Sequence, residues 1–370
     1  MDGMCLSHRT ALLYWRLLNR LRLPASRSTN LRNVQDARWR VRDLGGTCTG
    51  WITFLYEELV GAGLTIDPAY FPNCYIGPGG RYRWITKIDL LVSTRARCYV
   101  TMDYERHLCG MELPPRGIRQ LTGNTNVTSP ELTLIMMAPY MADDVELQML
   151  CYEACGNYSL LPEGLKGRKG YGFVDRPALT TVEKCLEAAN ATHVNGAEDV
   201  RLALRDVTGK SFSPRESATA IMFKRPLSRG GFGFTWLQLN VAIDLSDEGA
   251  AIIGIKALRA DIVIRDPRWE KGESDIKGVV IGYQGKGDHF DPVDAAAQAA
   301  NDNRRRRAFE VSGYPVIHIT AEEFAGLPDL TAVARQAAGY LGLDFDYDDP
   351  QFLALRTKLH QRLQDNNLGR

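Results

Sequence analysis

Hydrophobic and polar positions follow several periods along the chain, and each period marks an element. Leu6 to Leu23 carries apolar residues at helical spacing and predicts an amphipathic helix centred on Leu12 to Leu23. Past Trp51 to Val60 the pattern shifts to short alternating runs. Asn73 to Ile76 and Tyr82 to Ile85 flank Gly77-Pro78-Gly79-Gly80, which predicts a hairpin, and Ile88 to Val92 and Cys98 to Met102 read as further strands of the same sheet. The glycine cluster lacks the Lys-Ser/Thr ending of a phosphate loop and is read as a turn. From Ser129 helical spacing returns, with Ser129 as N-cap, Pro130 at the first helical position and Glu131 in the first turn. Helices are expected over Val145 to Cys155, Thr180 to Ala191 and Ala197 to Asp206.

Small and polar residues at Thr208-Gly209-Lys210-Ser211 then mark a domain boundary. Beyond it the pattern runs helix (Pro214 to Phe223), three strands (Leu239 to Leu245, Leu258 to Ile264, Val279 to Gln284), helix (Val293 to Ser312), strand (Pro315 to Thr320) and closing helices. Three adjacent strands, a long helix and a returning strand predict a mixed α/β sheet. The expected division is an α+β region over 1–208, a mixed-sheet domain over 211–325 and a helical extension over 326–370. The tail from Asp344 to Asp349 holds four acids and is read as a solvated loop before a helix over Gln351 to Leu363.

Composition narrows the setting. A chain of 370 residues exceeds what one core usually serves, and a net charge of +1 gives no global bias toward nucleic acid or membrane, so any polyanion site must be local. The longest apolar run, Leu132 to Tyr140, falls far short of the ~20 residues of a spanning helix, and a cytoplasmic protein is expected. The first 42 residues hold nine Arg, no Lys and two acids; a transit peptide shares this balance, but no small-residue cleavage site follows the helix. The eight cysteines lack zinc-ribbon spacing and are read as free thiols. The alternative is a zinc site at Cys151 and Cys155, an i, i+4 pair with His107 and Cys109 nearby in sequence.

Candidate chemistry lies in the last third. Asp261 stands inside an apolar strand, where a carboxylate needs a cation, a metal or donors; a salt bridge to Arg259 or Arg265 is the plain explanation. The next strand places Val280, Gly282 and Gln284 on one face, and a glycine inside a strand marks a bulge or a close approach. Gly285-Lys286-Gly287-Asp288-His289 follows. On the long helix Asp302 precedes Arg304 to Arg307, four arginines that cover every side of one turn, so at least one is expected to reach a phosphate or a buried acid.

In order, these pieces are an acid-bearing helix with Glu216, Arg259-x-Asp261, a strand ending at Gly282-x-Gln284-Gly285, His289, Asp302 with Arg305, and Gly313 to Thr320. The order resembles the small PD-(D/E)XK proteins related to very-short-patch-repair endonucleases. The resemblance implies a restriction-endonuclease-like mixed-sheet fold and DNA phosphodiester hydrolysis with Mg²⁺ or Mn²⁺. In those relatives a main-chain carbonyl serves as second metal ligand, a nearby His takes part in the chemistry and a helix Glu supports the site. Carried onto this chain, Asp261 and the Gly282 carbonyl hold the metal, and Gln284 orients water or phosphate. His289 shuttles a proton, Glu216 supports the site, and Arg259, Lys286 and Arg305 meet phosphate.

Relatives place Glu at the position of Gly282 and usually Asp at that of Gln284, so two carboxylates are missing and metal affinity should fall. Glu216 also has a plain explanation, because Ser213-Pro214-Arg215-Glu216 reads as N-cap, proline and capping-box Glu. In the first half, Asn126-Val127-Thr128-Ser129-Pro130-Glu131-Leu132-Thr133-Leu134 is similar to the turn-to-helix of AbiE-type abortive-infection antitoxins. That resemblance implies a bacterial phage-defence setting and a cognate toxin as partner. Two functions stay open: a nuclease with a degenerate site, or an inactive regulator that binds DNA or a partner protein.

Overall fold

A computed structural model describes residues 4–17, 27–29, 65–66, 74–77, 81–84, 88–95, 98, 104–122, 125–161, 165–166, 172–284 and 292–365. The chain separates into two compact units, Met1–Arg205 with Gly369–Arg370, and Asp206–Leu368. Both combine helices with sheets of parallel and antiparallel strands, a mixed α/β architecture. Among the described residues, no helix is long and apolar enough to cross a membrane.

In the first unit, β1 (Met4–Leu6), β2 (Arg27–Thr29), β3 (Ile88–Val92), β4 (Tyr104–Leu108), β5 (Ile118–Thr122) and β6 (Thr125–Thr128) form a sheet in the order β2-β5-β6-β1-β3-β4. Helix α1 (His8–Leu17) begins where β1 ends, and the expected continuation to Leu23 lies outside the described residues. The Trp15 indole donates to the Thr128 carbonyl at 2.9 Å, fastening α1 to the end of β6. There Ser129 caps α2 (Pro130–Met137) by accepting from the Leu132 amide, as the sequence predicts. Three more helices follow: α3 (Asp144–Cys155), α4 (Val182–Asn190) and α5 (Ala197–Leu204). The predicted hairpin is present as Cys74–Gly77 paired with Arg81–Trp84, but as a two-stranded sheet of its own and not, as expected, in the sheet that holds β3. Of the strand expected at Cys98 to Met102 only Cys98 is described, and the neighbour of β3 is Tyr104–Leu108; Trp51 to Val60 lies outside the described residues.

The second unit runs α6 (Pro214–Lys224), β7 (Leu237–Asp244), α7 (Asp247–Ile253), β8 (Ala257–Arg265), β9 (Gly278–Gln284), α8 (Pro292–Glu310), β10 (Val316–Thr320), α9 (Ala321–Ala325), α10 (Leu327–Tyr340) and α11 (Pro350–Asp365). The strands pair in sequence order, antiparallel from β7 to β9 and parallel from β9 to β10. One rung, Leu239–Ile262–Ile281–Ile317, crosses all four strands and is buried throughout. Beyond it the sheet forks. The β8–β9 ladder stops at Ile262↔Ile281, while β7–β8 continues to Asp244↔Ala257 and β9–β10 to Gln284↔Thr320.

The helices after residue 326, set apart by the sequence pattern, fold into this unit. The acidic tail is also more than a solvated loop. Asp344, Asp346 and Asp348 are exposed, while Tyr347 is buried and Phe345 half-buried, so the acids alternate with inward aromatics.

Helix α7, which joins β7 to β8, is seated on α8 through Ser312. The Ser246 amide donates to Ser312 Oγ at 3.0 Å, and the Gly249 amide donates to Ser246 Oγ at 3.1 Å. A Cβ on Gly249 would collide with Ser312 Oγ and lie 2.7 Å from the Ala308 carbonyl oxygen. Gly249→Ala is therefore expected to lower the stability of the second unit by about 1–3 kcal/mol, read as a reduced urea midpoint. An unchanged midpoint would mean that α7 shifts freely on α8.

Candidate functional site

The fork gathers four of the residues that the sequence singles out. Asp261 and Gly282 are the first residues past the last shared rung, on neighbouring strands about 4.8 Å apart where they still pair. Opposite Asp261 in register stands Asn240, where the β7–β8 ladder skips a pair and the backbone adopts φ 50°. Leu258 and Ala260 pack in one cluster with Val263 and Val280 against Ala308 and Phe309 of α8. Positions 260 and 263 cannot share a side by simple alternation, so β8 changes phase between them, at Asp261–Ile262.

Helix α6 brings its N-terminus to this corner. Ser213 caps it, accepting from the Glu216 amide at 3.1 Å, and the Glu216 side chain reaches back to the Phe212 amide at 2.9 Å. Glu216 thus reaches past the N-cap to the amide before Ser213, so the reciprocal capping box of the plain reading is not formed, and its carboxylate has a second donor. Asn240 Nδ2 donates to Glu216 Oε2 at 2.7 Å and to the Lys210 carbonyl at 2.9 Å. The left-handed backbone of Asn240, a conformation that asparagine tolerates better than most residues, supports this bridge.

Burial pushes the Glu216 carboxyl up from the ordinary 4.5 to about 6. The hydrogen bonds from Phe212 and Asn240 oppose the rise, the Asp261 charge adds to it, and the Arg259 charge offsets part of it. Glu216, Asp261 and Arg259 therefore lie within electrostatic reach of one another.

The arginines divide their work. Arg259 lays its guanidinium over the Phe212 ring at 4.8 Å, and Arg265 donates to the Tyr314 hydroxyl and to Gln238 Oε1. On α8, Arg304, Arg306 and Arg307 are exposed, and Arg306 faces Glu310 at 3.9 Å. Arg305 turns inward, but its Nη2 donates to the carbonyl of Arg259 at 3.0 Å and not to an acid. It fills an edge of β8 that β9 leaves unpaired past Ile262.

His318 enters the site unannounced by the sequence. It is the β10 neighbour of Gly282, and its buried Nδ1 has no hydrogen-bond partner. A Cβ on Gly282 would come within 3.1 Å of that nitrogen, so the glycine leaves room for the ring. A carboxylate side chain at position 282 would have to displace it. The Gln284 side chain, Lys286 and His289 lie outside the described residues.

For a metal, Glu216, Asp261 and a main-chain carbonyl offer hard oxygen donors, the set that suits Mg²⁺ or Mn²⁺. Among the described residues, no three His, Cys, Asp or Glu side chains are grouped to hold an ion. In the first unit His107 is taken by Asp89, at 2.7 Å from Nε2 to Oδ1, and stacks on His8 at 3.8 Å. Cys151, Cys155 and Cys185 of α4 are buried free thiols, the last two in hydrogen-bond contact.

Comparison of the chain with family models, with curated proteins and with solved structures finds no match. The corner is read from its own geometry.

That geometry sets a pH dependence. Because the folded-state pKa of Glu216 is raised, its stabilising contribution is complete below about 4.5 and is lost as pH rises through about 6. Above that, a buried anion beside Asp261 opposes folding. Glu216→Gln should therefore gain on wild type by ~2 kcal/mol in unfolding free energy between pH 4 and pH 8. Parallel pH profiles of the two proteins would show that Glu216 is not buried beside a like charge.

Proposed function

We propose that the second unit is a nuclease-like domain of the PD-(D/E)XK type that binds DNA phosphates and holds a divalent cation, Mg²⁺ or Mn²⁺, at a reduced site. The observation that carries this reading is the meeting of Glu216, Asp261 and Arg259 where the sheet forks. Apart from the short α7 between β7 and β8, the order helix, three strands, helix and strand, with acids on the first helix and on β8, is what the resemblance implies. Two partly buried carboxylates within electrostatic reach of each other also make a corner that a cation would relieve.

A bound cation would polarise a phosphate oxygen and lower the pKa of its water. Asp261 and the Gly282 carbonyl are assigned to hold it. Glu216 reaches the same corner and supports the site as a further carboxylate beside the cation. Arg259 meets phosphate charge at the mouth, and the exposed Arg304, Arg306 and Arg307 extend the basic surface along α8. Arg305 commits one nitrogen to the Arg259 carbonyl and anchors that surface to the fork. Lys286, Gln284 and His289 complete the assignment as phosphate donor, water-orienting group and proton shuttle.

A second reading has its own observation. The His318 ring lies against Gly282, where relatives carry an acid, and this favours a regulator that keeps the fold and binds DNA or a protein without cutting. The first unit fits either reading as an AbiE antitoxin-like region of a cytoplasmic phage-defence protein, with a cognate toxin as partner. Its support is the Asn126 to Leu134 segment, which passes from β6 through the Ser129 cap into α2.

Plasmid cleavage assayed with Mg²⁺ and with Mn²⁺ separates these readings. Wild type is expected to nick DNA slowly with either ion, and Asp261→Ala is expected to reduce the rate at least ~10-fold, about 1.4 kcal/mol of transition-state stabilisation. Cleavage that survives Asp261→Ala contradicts the site assignment. Salt-dependent DNA binding without cleavage supports the regulator.

A further inference from the structure

The first unit carries a cluster of titratable groups that the fork does not use. His8, the first residue of α1, is buried at 8% exposure, and its ring stacks on the His107 ring of β4 with centroids 3.8 Å apart. Two imidazoles in that contact repel each other strongly if both carry charge. One carboxylate touches the pair, and it is committed to one ring. Asp89 of β3 meets Nε2 of His107 at 2.7 Å, whereas the neighbour of His8 Nδ1 is the Ser7 hydroxyl at 2.9 Å. The other charged and titratable groups around the stack are Arg9 of α1, Glu105 of β4 and Tyr140. Arg9 lies over the Tyr140 ring, which meets both imidazoles edge-on from the turn Ala138–Tyr140, and Glu105 is the register partner of Asp89.

The backbone is strained at the same residue. His8 adopts φ 46°, a left-handed conformation that costs a non-glycine residue free energy and persists only where its surroundings enforce it. Here the stack is joined by two hydrogen bonds to β3: the Ser7 amide donates to the Asp89 carbonyl at 3.0 Å, and the Asp89 amide donates to Thr10 Oγ1 at 3.0 Å. The far end of α1 is fastened separately. Trp15 holds the Thr128 carbonyl, and Arg16 grips the Glu153 carboxylate with two nitrogens at 2.9 and 2.8 Å. A strained first turn on an anchored helix is able to lift by itself. Burial, with the His107 charge behind it, lowers the pKa of His8 from the ordinary 6.5 to about 4, and the Asp89 charge opposes this only in part.

We infer that the His8–His107 stack is a proton-sensitive latch, which holds the first turn of α1 down on β3 and β4 while His8 is neutral and opens when His8 takes a proton. The direction follows from burial. The lifted turn returns His8 to water and to its ordinary proton affinity, so the open form binds more protons than the closed one. Acidification from about 6.5 toward about 4 therefore shifts the balance toward the open form. Opening uncovers the Asp89–His107 pair and leaves the Trp15 and Arg16 anchors in place, so the latch controls one surface of the unit and not its fold.

Hydrogen exchange of the full chain, read by mass spectrometry on overlapping peptides of residues 5–17, tests the latch. Wild type is compared with His8→Phe, which keeps an aromatic ring on His107 and takes no proton. Comparison at equal pH cancels the intrinsic acid dependence of amide exchange. The two proteins should exchange alike at pH 7, and at pH 4.5 the amides of the first turn of α1 should exchange at least ~10-fold faster in wild type. Amides around Trp15 and those of α6 should show no such excess. His8→Asn, which suits the left-handed backbone and takes no proton, serves the same comparison should His8→Phe fail to fold. Equal first-turn rates in wild type and variant at pH 4.5 overturn the proposal. An acid-dependent excess spread evenly over both ends of α1 and over α6 also overturns it, since that is general acid unfolding.

Discussion

Two carboxylates folded into one corner set the terms for the second unit. Glu216 arrives on a helix N-terminus and Asp261 on an interior strand, and the Asp261 charge raises the cost of ionising Glu216. The surrounding features offset that repulsion. The helix end supplies the Phe212 amide, Asn240 supplies a side-chain donor, and Arg259 supplies positive charge steadied on the Phe212 ring. Asparagine with a left-handed backbone is a locally unfavourable choice inside a strand pair, and the bridge it makes between Glu216 and Lys210 is its physical reason.

The fork follows from the same constraint. A regular sheet would pair Asp261 on both sides and pack its side chain among apolar neighbours. Here the ladder to β9 ends one residue earlier, β8 changes phase, and the carboxylate turns to the corner where Glu216 waits. Arg305 then meets the Arg259 carbonyl beside the gap, so the helix with the exposed arginines is tied to the strand with the acid. The exposed arginines of α8 and the carboxylates of the corner are thereby tied together through one hydrogen bond.

Much of this was legible in the sequence. The four strands and two helices of the sheet domain show clear apolar periods, and the fold places each within a few residues of its expected span: β8, for example, is Ala257–Arg265 against Leu258 to Ile264. Asp261 and Gly282 were visible as a polar and a small residue inside apolar strands, Glu216 as a helix-start residue, and Arg259 through the motif order. Three features were not. Asn240 looks like any polar strand residue, because its role depends on φ and on a partner 24 positions away. His318 occupies an unremarkable place in Val316–Thr320, and only the parallel register sets it against Gly282. The acidic tail hid Phe345 and Tyr347, which alternate with the acids and turn inward onto Phe234, Phe232 and Arg356. Each depends on long-range pairing, which local pattern does not encode.

Calorimetric titration of Mn²⁺ at pH 6, in buffers of different ionisation enthalpy, tests the central claim that this corner holds a cation. If it does, metal binding displaces the proton that Glu216 holds near that pH. Wild type should then bind one ion and release a measurable fraction of a proton, while Asp261→Asn loses the binding and Glu216→Gln keeps weaker binding without proton release. Binding that is unchanged in Asp261→Asn, or that releases no proton in wild type, would contradict the account.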